Sequence, residues 1–217
     1  MTREVRLATG ASMRMHGPAS GPAVVCVNGG RAAAVEGTWS ASLEWLIGRL
    51  APRFPQLRFG EVRYRIKSWN RFDLCVDDAR AAVAELDAER TLLLGFSMGG
   101  AVAISVADDL RVTGVLGLAP WIPDRLSVEP LRGRRLDVLH GSLDRPLPGI
   151  PGVSPASSRH GFERAQALGV PGSYTLLRGA AHPIAVRAGR PVPLPRAGAW
   201  ARHVATHLEA FVSRNYS

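Results

Sequence analysis

The sequence predicts an α/β fold, with a mostly parallel, doubly wound sheet in one domain, from three observations. Apolar runs of strand length alternate with stretches of helical periodicity along the chain, which is the pattern of successive βαβ units. The run Ala23–Val27 is continuously apolar and rich in β-branched residues, as a strand covered on both faces must be. The 217 residues suffice for one sizeable core and contain neither a linker nor an internal repeat.

In chain order, Val5–Ala8 and Ser12–His16 alternate around Gly10 and predict an edge hairpin, with Gly17–Pro22 as a turn. Ala23–Val27 is the third strand and ends in the loop Asn28-Gly29-Gly30-Arg31. Thr38–Leu50 places Trp39, Leu43, Leu46, Ile47 and Leu50 at helical spacing, with Thr38 or Ser40 as its cap. Pro52 and Pro55 break the chain, Leu57–Ile66 reads as a strand, and Phe72–Asp87 as an amphipathic helix. Thr91–Phe96 is a strand leading into a helix that ends near Leu110, and Val112–Leu118 is the sixth strand. Leu136–Leu139 and Tyr174–Leu177 are further strands, separated by a helix over Ser157–Leu168. Pro183–Gly198 is expected to be an irregular or extended arm because of its prolines. Ala199–Val212 closes the chain as a helix. The sum is about eight strands flanked by helices.

Composition bounds the partners. A hydrophobic content of 46% with 21% charged residues is ordinary for a globular protein. No apolar run reaches the ~18–20 residues of a membrane span, and the N-terminus carries no apolar core of signal-peptide length. A cytoplasmic protein is expected. Cys26 and Cys75 lie in apolar or amphipathic stretches and read as buried free thiols. The net charge of +9 comes from arginines scattered along the chain without interleaved aromatics, and Lys67 is the only lysine. Nucleic-acid binding should concentrate charge on one face, so an arginine-rich codon bias, or attraction of an anionic substrate, explains the charge better.

Chemistry is concentrated in Gly95-Phe96-Ser97-Met98-Gly99, a G-x-S-x-G turn from strand to helix that exposes one serine at its apex. Asp144 and His182 each follow a predicted strand, as Ser97 does, and functional groups collect at the carboxyl ends of parallel strands. The order Ser–Asp–His, together with the Asn28-Gly29-Gly30 loop, Gly141-Ser-Leu-Asp144 and Gly179-Ala-Ala-His182, resembles the α/β-hydrolases over essentially the whole chain. The resemblance implies an α/β-hydrolase fold in which Ser97 is the nucleophile, His182 the base and Asp144 the residue that orients the base. It further implies an oxyanion hole from the backbone N–H of Met98 and a second N–H from Gly30 or Arg31. Asn28 stands where the family often has histidine, a departure that bears on the placement of the hole rather than on the triad.

Rival residues read as structural. His140 is expected to serve as a hydrogen-bonding residue at a strand end, and His16, His160, His203 and His207 as solvated or satisfied histidines. His203 and His207 have helical metal spacing, but no carboxylate accompanies them as in zinc motifs, so no metal is expected. Asp124 competes with Asp144 for the acid position, and the Gly-x-x-Asp context favours Asp144. Asp137 suits a solvent-side or edge position.

The short, proline-broken stretch Ala119–Arg135 leaves room for at most a turn of helix, so the lid is minimal or absent. Trp121 and Met98 are expected as apolar pocket walls, and Arg31, Arg145 and Arg187 as attractors of a substrate carboxylate or phosphate. The expected function is a serine hydrolase cleaving a small-molecule carboxylic ester or thioester through an acyl-enzyme, without a cofactor. Amide or C–C bond hydrolysis on the same triad, or a non-catalytic binding protein of this fold, are the alternatives. Oligomeric state is not legible.

Overall fold

The computed structural model describes residues 2–145 and 152–213. Its strands are β1 (Thr2–Arg6), β2 (Ser12–His16), β3 (Ala23–Val27), β4 (Val35–Glu36), β5 (Arg58–Arg63), β6 (Ile66–Lys67), β7 (Thr91–Phe96), β8 (Val112–Leu118), β9 (Arg135–Gly141), β10 (Gly172–Leu177), β11 (Ala185–Ala188) and β12 (Arg190–Pro193). Its helices are α1 (Ala41–Leu50), α2 (Phe72–Leu86), α3 (Met98–Val106), α4 (Pro155–Ala167) and α5 (Ala197–Ser213). Eight strands form one sheet in the order β1-β2-β5-β3-β7-β8-β9-β10. The pairs β1–β2 and β2–β5 are antiparallel, and every later pair is parallel.

Two apolar layers cover the sheet. On one face Leu43, Leu46, Ile47 and Leu50 of α1 join Trp200, Val204 and Leu208 of α5 over Val24, Phe59 and Leu94. On the other, Ala79, Ala82 and Val83 of α2, Val102 of α3 and Phe162 of α4 cover Val25, Val62 and Leu93. This two-sided cover explains why β3 and β7 are buried along their whole length. The chain leaves β3 toward β5 and returns to the other side of β3 as β7. The switch point of the sheet therefore opens a crevice beyond the ends of β3 and β7, where ligands bind in open α/β sheets.

Several expected boundaries move for physical reasons. Helix α1 starts at Ala41 because the Ser40 hydroxyl accepts from the Leu43 N–H and caps it, leaving Thr38 outside. Helix α3 ends at Val106 rather than near Leu110, where Arg134 donates to the carbonyls of Ala107 and Asp109. The strand expected over Leu57–Ile66 ends at Arg63, and β6 then pairs with β4 in a two-stranded ribbon that sequence patterning did not indicate. Too short to show periodicity, such elements exist only through pairing.

Of the irregular and extended forms expected for the proline-rich arm, the structure has the extended one, as the antiparallel hairpin β11–β12 turning at Gly189 with φ +69°. Pro191 and Pro193 lie two apart, so their missing N–H groups fall on one edge and leave the other edge free to pair. Ser42 ties the arm to α1, its hydroxyl accepting from the amides of Ile184 and Ala185. Asp137 is a correction: it is buried, held by Arg135 at 2.6 and 2.9 Å and by the Ser173 hydroxyl at 2.6 Å. An aspartate that finds a guanidinium fork two residues away on its own strand needs no solvent.

Candidate active site

The turn between β7 and α3 is built from the backbone outward. Ser97 has φ +57° and ψ −123°, a conformation that an L-residue adopts only when its surroundings enforce it. The enforcement is visible in three hydrogen bonds of 2.9 Å: the Ser97 N–H donates to the Leu118 carbonyl, and its own carbonyl accepts from Gly100 and Trp121. Two glycines permit the close approach. A Cβ on Gly95 would lie 2.3 Å from the Gly99 carbonyl oxygen, and one on Gly99 would lie 2.2 Å from that of Val27. Met98 is the first residue of α3, so its N–H has no acceptor within the helix and stands at the positive end of the helix dipole.

The loop after β3 faces this turn because Val27 and Gly95 are partners in the sheet. Asn28 holds it from three directions. Its side-chain amide donates to the Thr38 carbonyl at 3.0 Å, its Oδ1 accepts from the Gly29 N–H at 2.7 Å, and its own carbonyl accepts from Tyr64 Oη at 3.0 Å. With the Gly29 amide so engaged, Gly30 is the next amide in the loop, and its Cα faces the Met98 side chain closely enough that a Cβ would sit 2.2 Å from Sδ. Arg31 follows with an exposed side chain, and its carbonyl accepts from the Trp69 N–H at 3.1 Å.

Asp144 and His182 reach the same crevice from the ends of β9 and β10. Asp144 Oδ2 accepts from His182 Nδ1–H at 2.6 Å, and both residues are buried. The carboxylate has two further donors: the Val153 N–H lies 2.9 Å from Oδ1, and His140 Nε2 lies 3.0 Å from Oδ2. Burial works against the carboxylate, yet the hydrogen bonds from His140 and His182 outweigh it and hold Asp144 below the usual aspartate range. His140 also meets the Val153 carbonyl at 3.0 Å. Both its neighbours are acceptors, so Nε2 carries the proton, and the buried Nδ1 has no partner among the described residues. Its ring stacks on Tyr174, with centroids 6.3 Å apart. The rival acid Asp124 is 84% exposed beside His160 and Arg164.

His182 packs against Phe96 with ring centroids 5.1 Å apart and turns its remaining nitrogen, Nε2, away from Asp144. Ser97 and His182 line one cleft, but among the described residues no hydrogen bond joins them.

Ser97 stands between two chambers. One, of about 220 Å³, is walled by Trp69, Met98, Trp121, Arg125 and Val153. The two tryptophan rings lie 6.4 Å apart, and the Arg125 guanidinium sits 5.2 Å over Trp121. The other, of about 290 Å³, includes Gly30, Trp39, Phe96 and His182 and is the basic cleft, since Lys67 and Arg187 line it. Trp121 lines a chamber beside Ser97; Arg31 and Arg145 line neither. Trp69, Arg125 and Lys67 carried no signal in the sequence, since each reaches the crevice from an element whose course only the fold determines. Ala119–Arg135 contributes no lid beyond a 3-10 turn over Glu129–Leu131.

No family model and no curated protein matches the sequence. Solved structures do. A sugar hydrolase from Lactococcus lactis is similar with a TM-score of 0.69 at 16% identity, covering 99% of both chains. A thermophilic esterase from Thermogutta terrifontis gives 0.66 at 15% identity over 100% of this chain and 92% of its own. A dienelactone hydrolase-like promiscuous phosphotriesterase from metagenomic libraries gives 0.66 at 14% identity over 96% of each. The sheet order, the strained serine turn and this full-length likeness together establish that the chain has the α/β-hydrolase fold.

Proposed function

We propose that this protein is a serine hydrolase that cleaves a carboxylic ester or thioester through an acyl-enzyme. The observation that carries the reading is the 2.6 Å contact between Asp144 and His182 Nδ1 at the rim of the cleft that holds the strained Ser97. With Nδ1–H engaged by the carboxylate, Nε2 has the lone pair that takes the Ser97 hydroxyl proton as Oγ attacks the carbonyl carbon. The oxyanion that forms is received by the N–H of Met98 and that of Gly30, two amides that need not reorganise at the moment of reaction. Imidazolium then protonates the leaving oxygen or sulfur, and the C–O or C–S bond breaks. A water, deprotonated by the same Nε2, releases the acid and restores the serine.

Two of the similar structures are named as an esterase and as a dienelactone hydrolase-like phosphotriesterase, which supports the reading. A fluorophosphonate probe tests it directly. Wild type is expected to label stoichiometrically, and Ser97→Ala and His182→Ala are expected not to. Labelling that survives in Ser97→Ala sinks the assignment.

A further inference from the structure

We propose that Lys67 recognises a carboxylate on the leaving portion of the substrate, so that the preferred substrates are esters or thioesters of an acid-bearing alcohol, phenol or thiol. The proposal rests on Ser97 and His182 acting as described above.

The first step is to decide which chamber takes which half of the substrate. His182 lines the basic cleft and not the aromatic chamber. The general acid must reach the departing atom, so the leaving portion occupies the basic cleft. The acyl group is left with the chamber of about 220 Å³ between Trp69 and Trp121, where flat apolar surface is its natural partner.

The second step is charge. Two cations, Lys67 and Arg187, line this cleft, and no carboxylate does among the described residues. Arg187 is already paired with Glu44 at 2.8 Å. Lys67 has one polar neighbour, the Thr38 hydroxyl at 2.7 Å, and no ion pair among the described residues. An ammonium carries three donors, so two remain for a ligand. Lys67 is held in place by β6, whose partner β4 precedes Thr38 by two residues. Burial, and then the nearby Arg31 charge, push the Lys67 pKa below the usual lysine value. A half-buried cation without a counter-charge gains from an anion more than a solvated one does. Arg31 does not line the cleft, so Lys67 presents it with one charge free of an ion pair among the described residues, which matches a singly charged carboxylate better than a doubly charged phosphate. Lys67 is also the one position in a chain of 27 basic residues that keeps a compact ammonium instead of a guanidinium.

The test uses two acetate esters that differ only in charge, those of 3-hydroxyphenylacetate and 3-hydroxyphenylacetamide. Wild type is expected to favour the carboxylate ester about tenfold in kcat/KM. In Lys67→Gln, which keeps a donor for Thr38, and in Lys67→Met the ratio should fall to near one, while Lys67→Arg keeps a preference. A pair with the charge moved to the acyl side, phenyl succinate against phenyl succinamate, should show no Lys67-dependent preference. Equal rates in wild type, or a ratio that survives in Lys67→Gln, overturn the proposal. Binding of free 3-hydroxyphenylacetate to Ser97→Ala, measured by calorimetry, separates the two readings. Its loss on adding Lys67→Gln supports Lys67 as the anion site even if fluorophosphonate labelling defeats the hydrolase reading. Unchanged binding in the double variant overturns the Lys67 assignment even if Ser97 labels.

Discussion

At Ser97 the chain is held by backbone against backbone, whereas at Asp144 and His182 it is held by side-chain hydrogen bonds. Around the serine, Gly95 and Gly99 bring carbonyl oxygens to distances no Cβ could share, and three 2.9 Å amide bonds close the turn. Around the acid, a single carboxylate gathers His182, His140 and the Val153 amide. Steric contacts of the first kind are all-or-none, because closely packed backbone cannot yield by half an ångström. Contacts of the second kind are graded, since each donor shifts the charge and orientation of the acid by its own share. Damage to the turn should therefore appear first in stability, and damage to the network first in rate and its pH dependence.

The largest effect is expected from Asp144→Asn. The amide keeps the shape but cannot hold His182 in the Nδ1–H tautomer, and the corresponding change in serine proteases costs ~10⁴ in kcat. Turnover of phenyl acetate should fall by about that factor, with the melting temperature little changed. A comparable loss of stability would place Asp144 with the steric region instead. Gly99→Ala reverses the pattern. Its Cβ would meet the carbonyls of Val27 and Asn28 at 2.2 and 2.7 Å, and overpacking of this kind costs about 3 kcal/mol or more. Thermal unfolding should drop by roughly 10 °C; an unchanged transition would show that the turn can relax.

A third test lies away from both regions and shows what a deeply buried carboxyl does. Glu61 on β5 is 1% exposed, and its Oε1 has no partner among the described residues. Burial raises its pKa to about 7 against the attraction of Arg14 and Arg187 and a backbone hydrogen bond from Ser40, with Glu44 adding to the rise. A folded pKa above the unfolded value near 4.5 means that the folded state binds the extra proton. That stabilisation is whole below pH ~4.5, declines through the interval to pH ~7 and is gone above it. Glu61→Gln should flatten this slope and raise stability at pH 8 by ~1–3 kcal/mol, read from urea midpoints at pH 5 and 8. A slope that persists in the variant assigns it to another group. The smallest effect is expected at His140→Phe, which keeps the stack on Tyr174 but loses the donor to Asp144. The rate should fall about tenfold, the worth of one hydrogen bond to a charged group. With that donor gone the Asp144 pKa rises, so the acid limb of the pH–rate profile should move to higher pH. A rate loss without that movement would mark His140 as packing only.

Ser97, Asp144 and His182 were legible in the sequence because each sits just past a strand whose apolar run announces it. The distinction between Asp144 and Asp124 was legible too, in the Gly-x-x-Asp turn, and the structure puts Asp144 on His182 while Asp124 stays in solvent. Asn28 was noted only as a departure, although it fixes the loop by three hydrogen bonds. Nothing in a lone asparagine reveals that its partners are ten and 36 residues away. The β4–β6 ribbon, the β11–β12 hairpin and the burial of Asp137 were illegible for the same reason: their pairing partners are set by tertiary contact, not by local period.

What the sequence determined by itself was the order of the main-sheet strands and the helices, the two-sided burial of β3, and the turn at Ser97. These depend on hydrophobic period and on where glycine permits a close approach, both properties of neighbouring residues. What only the tertiary structure decided was which residues surround the serine. Trp69, Trp121 and Arg125 on one side, and Lys67 with His182 on the other, come from elements far apart in the chain. They meet because the sheet reverses its winding at β3 and β7 and opens a crevice there.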